Sequence, residues 1–509
     1  MKTSKTPYIF ICAFLMLSYT SYSQKLSKTD IQAAAKEAFP KAIFEYISLL
    51  EIPNDGHFPD QIESNLQACK AIFTDLGFET KTIINTGVPV LFAEKRYHKK
   101  AKTVLFYLQI DGQPVDSSAW DQPSPFKPVL KEMQNGEWKT IDITKLKSEY
   151  HPDWRIFARS SSDSKGPAMS LITALQILQK KAIKPAFNVK VIMDFQEEMG
   201  SPTLPQAVRD NQEVLAADML FIMDGTRHVS NLPTLTYGAR GIATAQLTTF
   251  GSYAPLHSGQ YGNFAPNPVF ETARLIAGLK DENGRVTLPG FYDGISLSEK
   301  DKEEINKVPE SKESILVRIG TSKSDAVGDT YQEALQYPSL NIRGLNAAWV
   351  GDEVRTIIPS EVITEIDMRL VPESDGKRLM ESLKKYITDS GYYLVDSVPT
   401  AEERKRHSKL AAFTYKLGSK PFRTPMDSPI GHLLNKAMEK VFGDQIVNMR
   451  TTGGSQPMSP FITTLNIPAV SIRIPNPDNN IHAPNENLRI GNFLEGIVTC
   501  LAILDQPID

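Results

Sequence analysis

Two kinds of apolar patterning divide the chain. Near-continuous apolar runs at 103–111 (TVLFYLQID), 188–198 (NVKVIMDFQEE), 217–224 (ADMLFIMD) and 469–474 (AVSIRI) predict strands buried on both faces. Amphipathic stretches at 165–181, 431–441 and 485–505 predict helices around them. Such alternation predicts an α/β architecture with a mixed sheet covered by helices. In the middle, 241–251 (GIATAQLTTFG) and 362–369 (VITEIDMR) alternate apolar with polar residues, which predicts strands with one wet face. A helix around 268–279 and a Pro- and Gly-punctuated stretch to about 328 lie between them. An inserted α+β domain is therefore expected at 241–415, interrupting a first domain that runs over 24–240 and resumes at 416–509.

The N-terminus is set apart from both. Lys2 and Lys5 precede an apolar run over 8–17, followed by Ser21-Tyr22-Ser23. This predicts a secretory signal peptide over 1–23, hence a periplasmic or extracellular protein. The run falls short of the roughly 20 apolar residues that span a bilayer, so no membrane anchor is expected. A net charge of −3 and a pI near 6.3 give no electrostatic reason to expect nucleic acid or an anionic membrane as partner. Cys12 lies in the N-terminal run, while Cys69 and Cys500 lie in apolar helical patterns, which predicts buried thiols and no disulfide framework.

Candidate chemistry gathers where the buried strands end, the edge at which open α/β sheets form ligand crevices. Asp111 closes the first run, Glu197 and Glu198 the second, and Asp224 the third. Asp163 precedes a helix in Ser160-Ser161-Ser162-Asp163-Ser164-Lys165-Gly166, and His482 precedes the last helix. Alone, Asp163 reads as a helix N-cap and an acidic pair as a solvated edge. Glu197-Glu198 differs because it ends an apolar run. Neighbours on a strand point to opposite faces, so one carboxylate can ligate a metal while the other addresses something else.

These residues resemble the motifs of the zinc peptidase family that contains carnosinase, cytosolic dipeptidases, aminoacylase, glutamate carboxypeptidase and succinyl-diaminopimelate desuccinylase. Gln109-Ile110-Asp111 with Pro114 stands at its His-x-Asp-x-x-Pro strand end, and Arg159, Asp163, Lys165 and Gly166 match its Gly-Arg-Gly-x-x-Asp-x-Lys-Gly segment. Glu197 to Ser201 reproduces Glu-Glu-x-Gly-Ser. Arg240-Gly241, Leu256-His257-Ser258-Gly259, Arg369-Leu370-Val371-Pro372, Gly453-Gly454-Ser455 and His482-x-Pro484-Asn485-Glu486 follow in the family's order. The resemblance implies a zinc-peptidase-type α/β catalytic domain interrupted by an α+β lid that dimerises. It implies two zinc ions bridged by Asp163, one completed by Glu198 and His482, the other by Asp224 and position 109. Glu197 would be the general base, and Asp111 would orient the ligand at 109. His257 would stabilise the oxyanion in the partner's active site, and Arg369, Thr356, Gly454 and Ser455 would bind substrate. The implied substrates are dipeptides or N-acyl amino acids with a free carboxylate. A metal lowers the pKa of water, so a neighbouring carboxylate can take its proton and return it to the leaving amine.

Position 109 departs from the family, holding Gln where a metal-binding His belongs. An amide oxygen is a weaker, harder donor than imidazole, so the second site is expected to be weakened and open to manganese or cobalt. Glu486 and His228 are candidate replacement ligands. Two readings follow: an active amidohydrolase, or a catalytically silent homologue that binds metal or a small carboxylate.

Overall fold

In the computed structural model, residues 25–84, 87–455 and 458–508 are described, so the segment 1–23 lies outside the described residues. An eight-stranded mixed sheet forms the centre, in the order Glu79–Ile83, Val90–Lys95, Asn188–Asp194, Thr103–Gln109, Met219–Ile222, Ala469–Arg473, Thr234–Thr236, Val447–Met449. Its four middle strands are parallel. Alternate residues of Thr103–Gln109 serve two cores. Val104, Phe106 and Leu108 face helices Lys28–Leu50, Gly166–Lys180, Pro429–Phe442 and Ile490–Asp505, while Leu105 and Tyr107 pack with Leu204, Val208 and Phe461 on the other side. Burial on both faces is why these strands read as unbroken apolar runs.

Residues 241–417 build a separate five-stranded sheet, ordered Ser339–Asn346, Glu361–Leu370, Gly241–Phe250, Leu410–Leu417, Tyr393–Leu394. One face carries Ala243, Ala245, Leu247, Ile366 and Met368 against helices Pro268–Ala277 and Gly376–Asp389. The intervening residues, Ile242, Thr244 and Gln246 among them, are half-buried or exposed. Among the described residues, no helix is long and apolar enough to cross a membrane. Cys69 and Cys500 are buried and unbridged, and burial pushes both thiols up, Cys69 to about 12.

Three local differences from the sequence reading bear on the site. The strand Asn188–Asp194 stops short of the acidic pair, so Glu197 and Glu198 occupy a single 3₁₀ turn, not a strand. A hairpin, Val129–Gln134 and Glu137–Ile141, turns through Asn135-Gly136 with both residues at positive φ, a signal the sequence carried and the reading passed over. The last helix begins at Ile490, because Asn487–Arg489 pairs antiparallel with Arg155–Phe157. That pairing delivers Glu486 to the loop bearing Asp163.

Candidate metal centre and active site

Loops at the ends of the parallel strands converge on one acidic cluster. Asp163, Glu198 and His482 each offer a ligand atom, and the three atoms lie within 4.8 Å of one another. His482 Nε2 is 3.0 Å from Asp163 Oδ2 and 3.3 Å from Glu198 Oε2. Each member is held from behind. Asp111 accepts from the backbone N–H groups of Glu197 (3.0 Å) and Glu198 (3.1 Å), fixing the acidic turn. Gln113 Nε2 donates to Glu198 Oε2 at 2.7 Å. Glu486, fully buried, accepts from the N–H groups of Ser160, Ser162 and Asp163, from Ser162 Oγ and from Arg159 Nη1, all at 2.8–2.9 Å. Asp224 joins the cluster through Ser164 Oγ, which lies 3.0 Å from both Asp163 Oδ1 and Asp224 Oδ1.

Electrostatics make the cluster a candidate cation site. Burial pushes the carboxyls of Asp111, Asp163, Glu197 and Glu198 up, Glu198 to about 10, and their mutual repulsion adds to it. His482 is raised as well, by its hydrogen bond to Asp163, which for a base favours the charged form. A divalent cation among two carboxylates and an imidazole would relieve this repulsion, and these donors are among those that zinc takes.

Position 109 is different. Gln109, the last residue of Thr103–Gln109, is buried, and its Nε2 has no hydrogen-bond partner among the described residues. Asp111 accepts one backbone N–H at each oxygen, from Glu197 and Glu198, and among the described residues Gln109 Nε2 does not donate to it. Neither candidate replacement ligand fills the gap. Glu486 is committed to the Asp163 loop, and His228 lies between Ser230 Oγ (2.9 Å) and Glu310 Oε2 (3.2 Å).

The substrate candidates fall into two places. Arg369, on Glu361–Leu370, donates from Nη1 to Ser455 Oγ at 3.0 Å, which links the five-stranded sheet to the Gly454-Ser455 turn. His257 and Thr356 are exposed together where Leu256–His257 pairs with Ile357–Ile358; His257 Nδ1 accepts from Gly259 N–H. Sequence reasoning missed two residues. Asp194, which accepts from Tyr107 and Ser201, looked like strand interior. Arg473, buried at the end of Ala469–Arg473, was visible only as a charge closing an apolar run.

Residues 105–506 match Peptidase family M20/M25/M40, and the chain belongs to this family of metal-dependent peptidases. The Cys-Gly metallodipeptidase of Saccharomyces cerevisiae is 27% identical over 440 residues, covering 84% of this chain and 85% of its own. Human Beta-Ala-His dipeptidase is 25% identical over 417 residues, covering 80% of this chain and 75% of its own. An M20 metallo-carboxypeptidase from Sulfolobus solfataricus superposes with a TM-score of 0.74 at 27% identity, over 91% of this chain and 98% of that one. A Bacillus subtilis protein described as a dinuclear metal-binding M20 peptidase shares the fold, with a TM-score of 0.55 at 12% identity over 92% of this chain and 98% of its own. The comparisons also correct one expectation. The relatives aligned with this chain are grouped with cytosolic enzymes, so a periplasmic or extracellular location is not retained.

Proposed function

We propose that the chain hydrolyses dipeptides and related small amides bearing a free carboxylate, with Glu197 as general base. Zinc is the cation that the Asp163–Glu198–His482 donors suit best. The observation that supports this reading most is the convergence of those three ligand atoms beside Glu197, whose carboxyl is raised by burial and by the charges of Asp224, Asp163, Glu198 and Asp111. When bound, the cation supplies Lewis acidity to the reaction. Glu197 takes the proton of the attacking water and returns it to the leaving amine. Arg369, steadied on Ser455, receives the substrate carboxylate, and Thr356 and Gly454 complete that end. The relatives named for Cys-Gly and Beta-Ala-His favour dipeptides over N-acyl amino acids.

Residues 241–415 act, in this reading, as a lid through which two copies pair, with exposed His257 serving the partner's oxyanion. Gln109 favours a second reading, a silent homologue. The assay is hydrolysis of dipeptides, N-acyl amino acids and amidated dipeptides by chelated protein reloaded with zinc, manganese or cobalt. Metal-dependent cleavage of the free-carboxylate dipeptides is expected; no cleavage with any metal selects the silent homologue.

A further inference from the structure

The row of residues beneath the acidic cluster holds a positive charge that the proposed chemistry leaves unused. Parallel pairing aligns Tyr107, Ile222 and Ser471 across three adjacent strands. Two residues further along the chain stand Gln109 and Arg473, the last residues of their strands and on the same face as Tyr107 and Ser471, and Asp224, just past the end of Met219–Ile222. Met223 N–H donating to the Tyr107 carbonyl at 3.1 Å continues the pairing toward that row. Arg473 is only 8% exposed, and its Nε and Nη2 have no hydrogen-bond partner among the described residues. Its guanidinium lies over Gly225, the residue after Asp224: a Cβ at that position would stand 1.3 Å from Nη1 and 2.4 Å from Cζ. Asp224 and then Asp163 are the carboxylates whose fields act on it.

We infer that the Arg473 guanidinium supplies the positive charge at the place where a second cation would sit between Asp163, Asp224 and position 109, so that this chain holds one divalent ion, at Asp163, Glu198 and His482. Three features support it together. Gln109 offers no imidazole, the buried guanidinium of Arg473 lies against the residue that follows Asp224 with Asp224 and Asp163 as the carboxylates acting on it, and the glycine at 225 leaves the room that the guanidinium fills. A second dication would meet like charge in a desolvated pocket, where repulsion is poorly screened. It stands against the expectation of a weaker second ion next to Gln109. Arg473 is thus a positioning residue, holding Asp224 and Asp163 in place by charge. The inference rests on the peptidase reading of the first site.

The test is metal content after dialysis and zinc titration by calorimetry of chelated protein, for wild type, Gln109→His, Arg473→Lys, and Gln109→His combined with Arg473→Met. One ion per chain is expected for wild type, for Gln109→His alone and for Arg473→Lys, which keeps the charge; a second ion is expected only in the combined variant. Two ions in wild type, or in Gln109→His with Arg473 intact, overturn the inference. The wild-type stoichiometry stands as the test even if the combined variant does not fold. One ion without hydrolysis of any dipeptide overturns the peptidase reading and upholds the inference. Two ions with hydrolysis do the reverse.

Discussion

Glu486 accepts five hydrogen bonds from the loop that carries Asp163, one of them from a buried Arg159. Glu486→Gln turns part of that acceptor into a donor facing N–H groups and leaves the guanidinium unpaired. A loss of about 3–5 kcal/mol is expected, the usual cost of breaking a buried ion pair, read by urea unfolding. At the substrate end, Arg369→Ala should lower kcat/KM for free-carboxylate dipeptides by about 10–100-fold, through loss of a charge-assisted hydrogen bond, and change amidated substrates little. Equal losses for both substrates would argue against a carboxylate clamp. Asp163, Glu198 and His482 were legible because each stands in a short local motif. The roles of Glu486 and Arg473 were not, because the partners of Glu486 are 323 or more residues away in the chain and Asp224 lies 249 residues from Arg473, and no spacing rule reports such pairings.

Elements were legible where burial is two-sided or strictly alternating. The strand Thr103–Gln109 and the pair Gly241–Phe250 and Glu361–Leu370 carry their packing in their pattern. The acidic turn was misread because apolarity runs on past Asp194 through Phe195, while the backbone is already turned by Asp194 accepting from Gln196 N–H and by Asp111 accepting from the next two. That turn depends on Asp111. Asp111→Ala leaves two N–H groups without an acceptor and frees Glu198, so metal affinity should fall about 10–100-fold, as is usual when a supporting partner of a ligand is lost. Competition with a chromophoric chelator measures it; unchanged affinity would show that the turn is held by other means.

At the scale of the whole molecule, the raised carboxyls of Asp111, Asp163, Glu197 and Glu198 link stability to pH and to metal. Without a cation, these carboxyls bind more protons in the folded chain than in the unfolded chain from the ordinary carboxylate value of 4.5 upward, Glu198 being pushed up to about 10. Their contribution to stability is then full at low pH and falls as pH rises through that window. Chelated protein should lose Tm between about pH 5 and about pH 9, and saturating zinc should restore it; a Tm that rises with pH after chelation would contradict the cluster's electrostatics. Pairing through residues 241–415 predicts a dimer in sedimentation, and a fully active monomer would remove His257 from the mechanism. The account as a whole stands on Glu197 acting on water beside a cation it does not hold. The direct measurement is dipeptide turnover and zinc content of Glu197→Gln beside wild type. A loss of about 10²–10⁴ in kcat with zinc content unchanged is predicted, and wild-type turnover in the variant would contradict it.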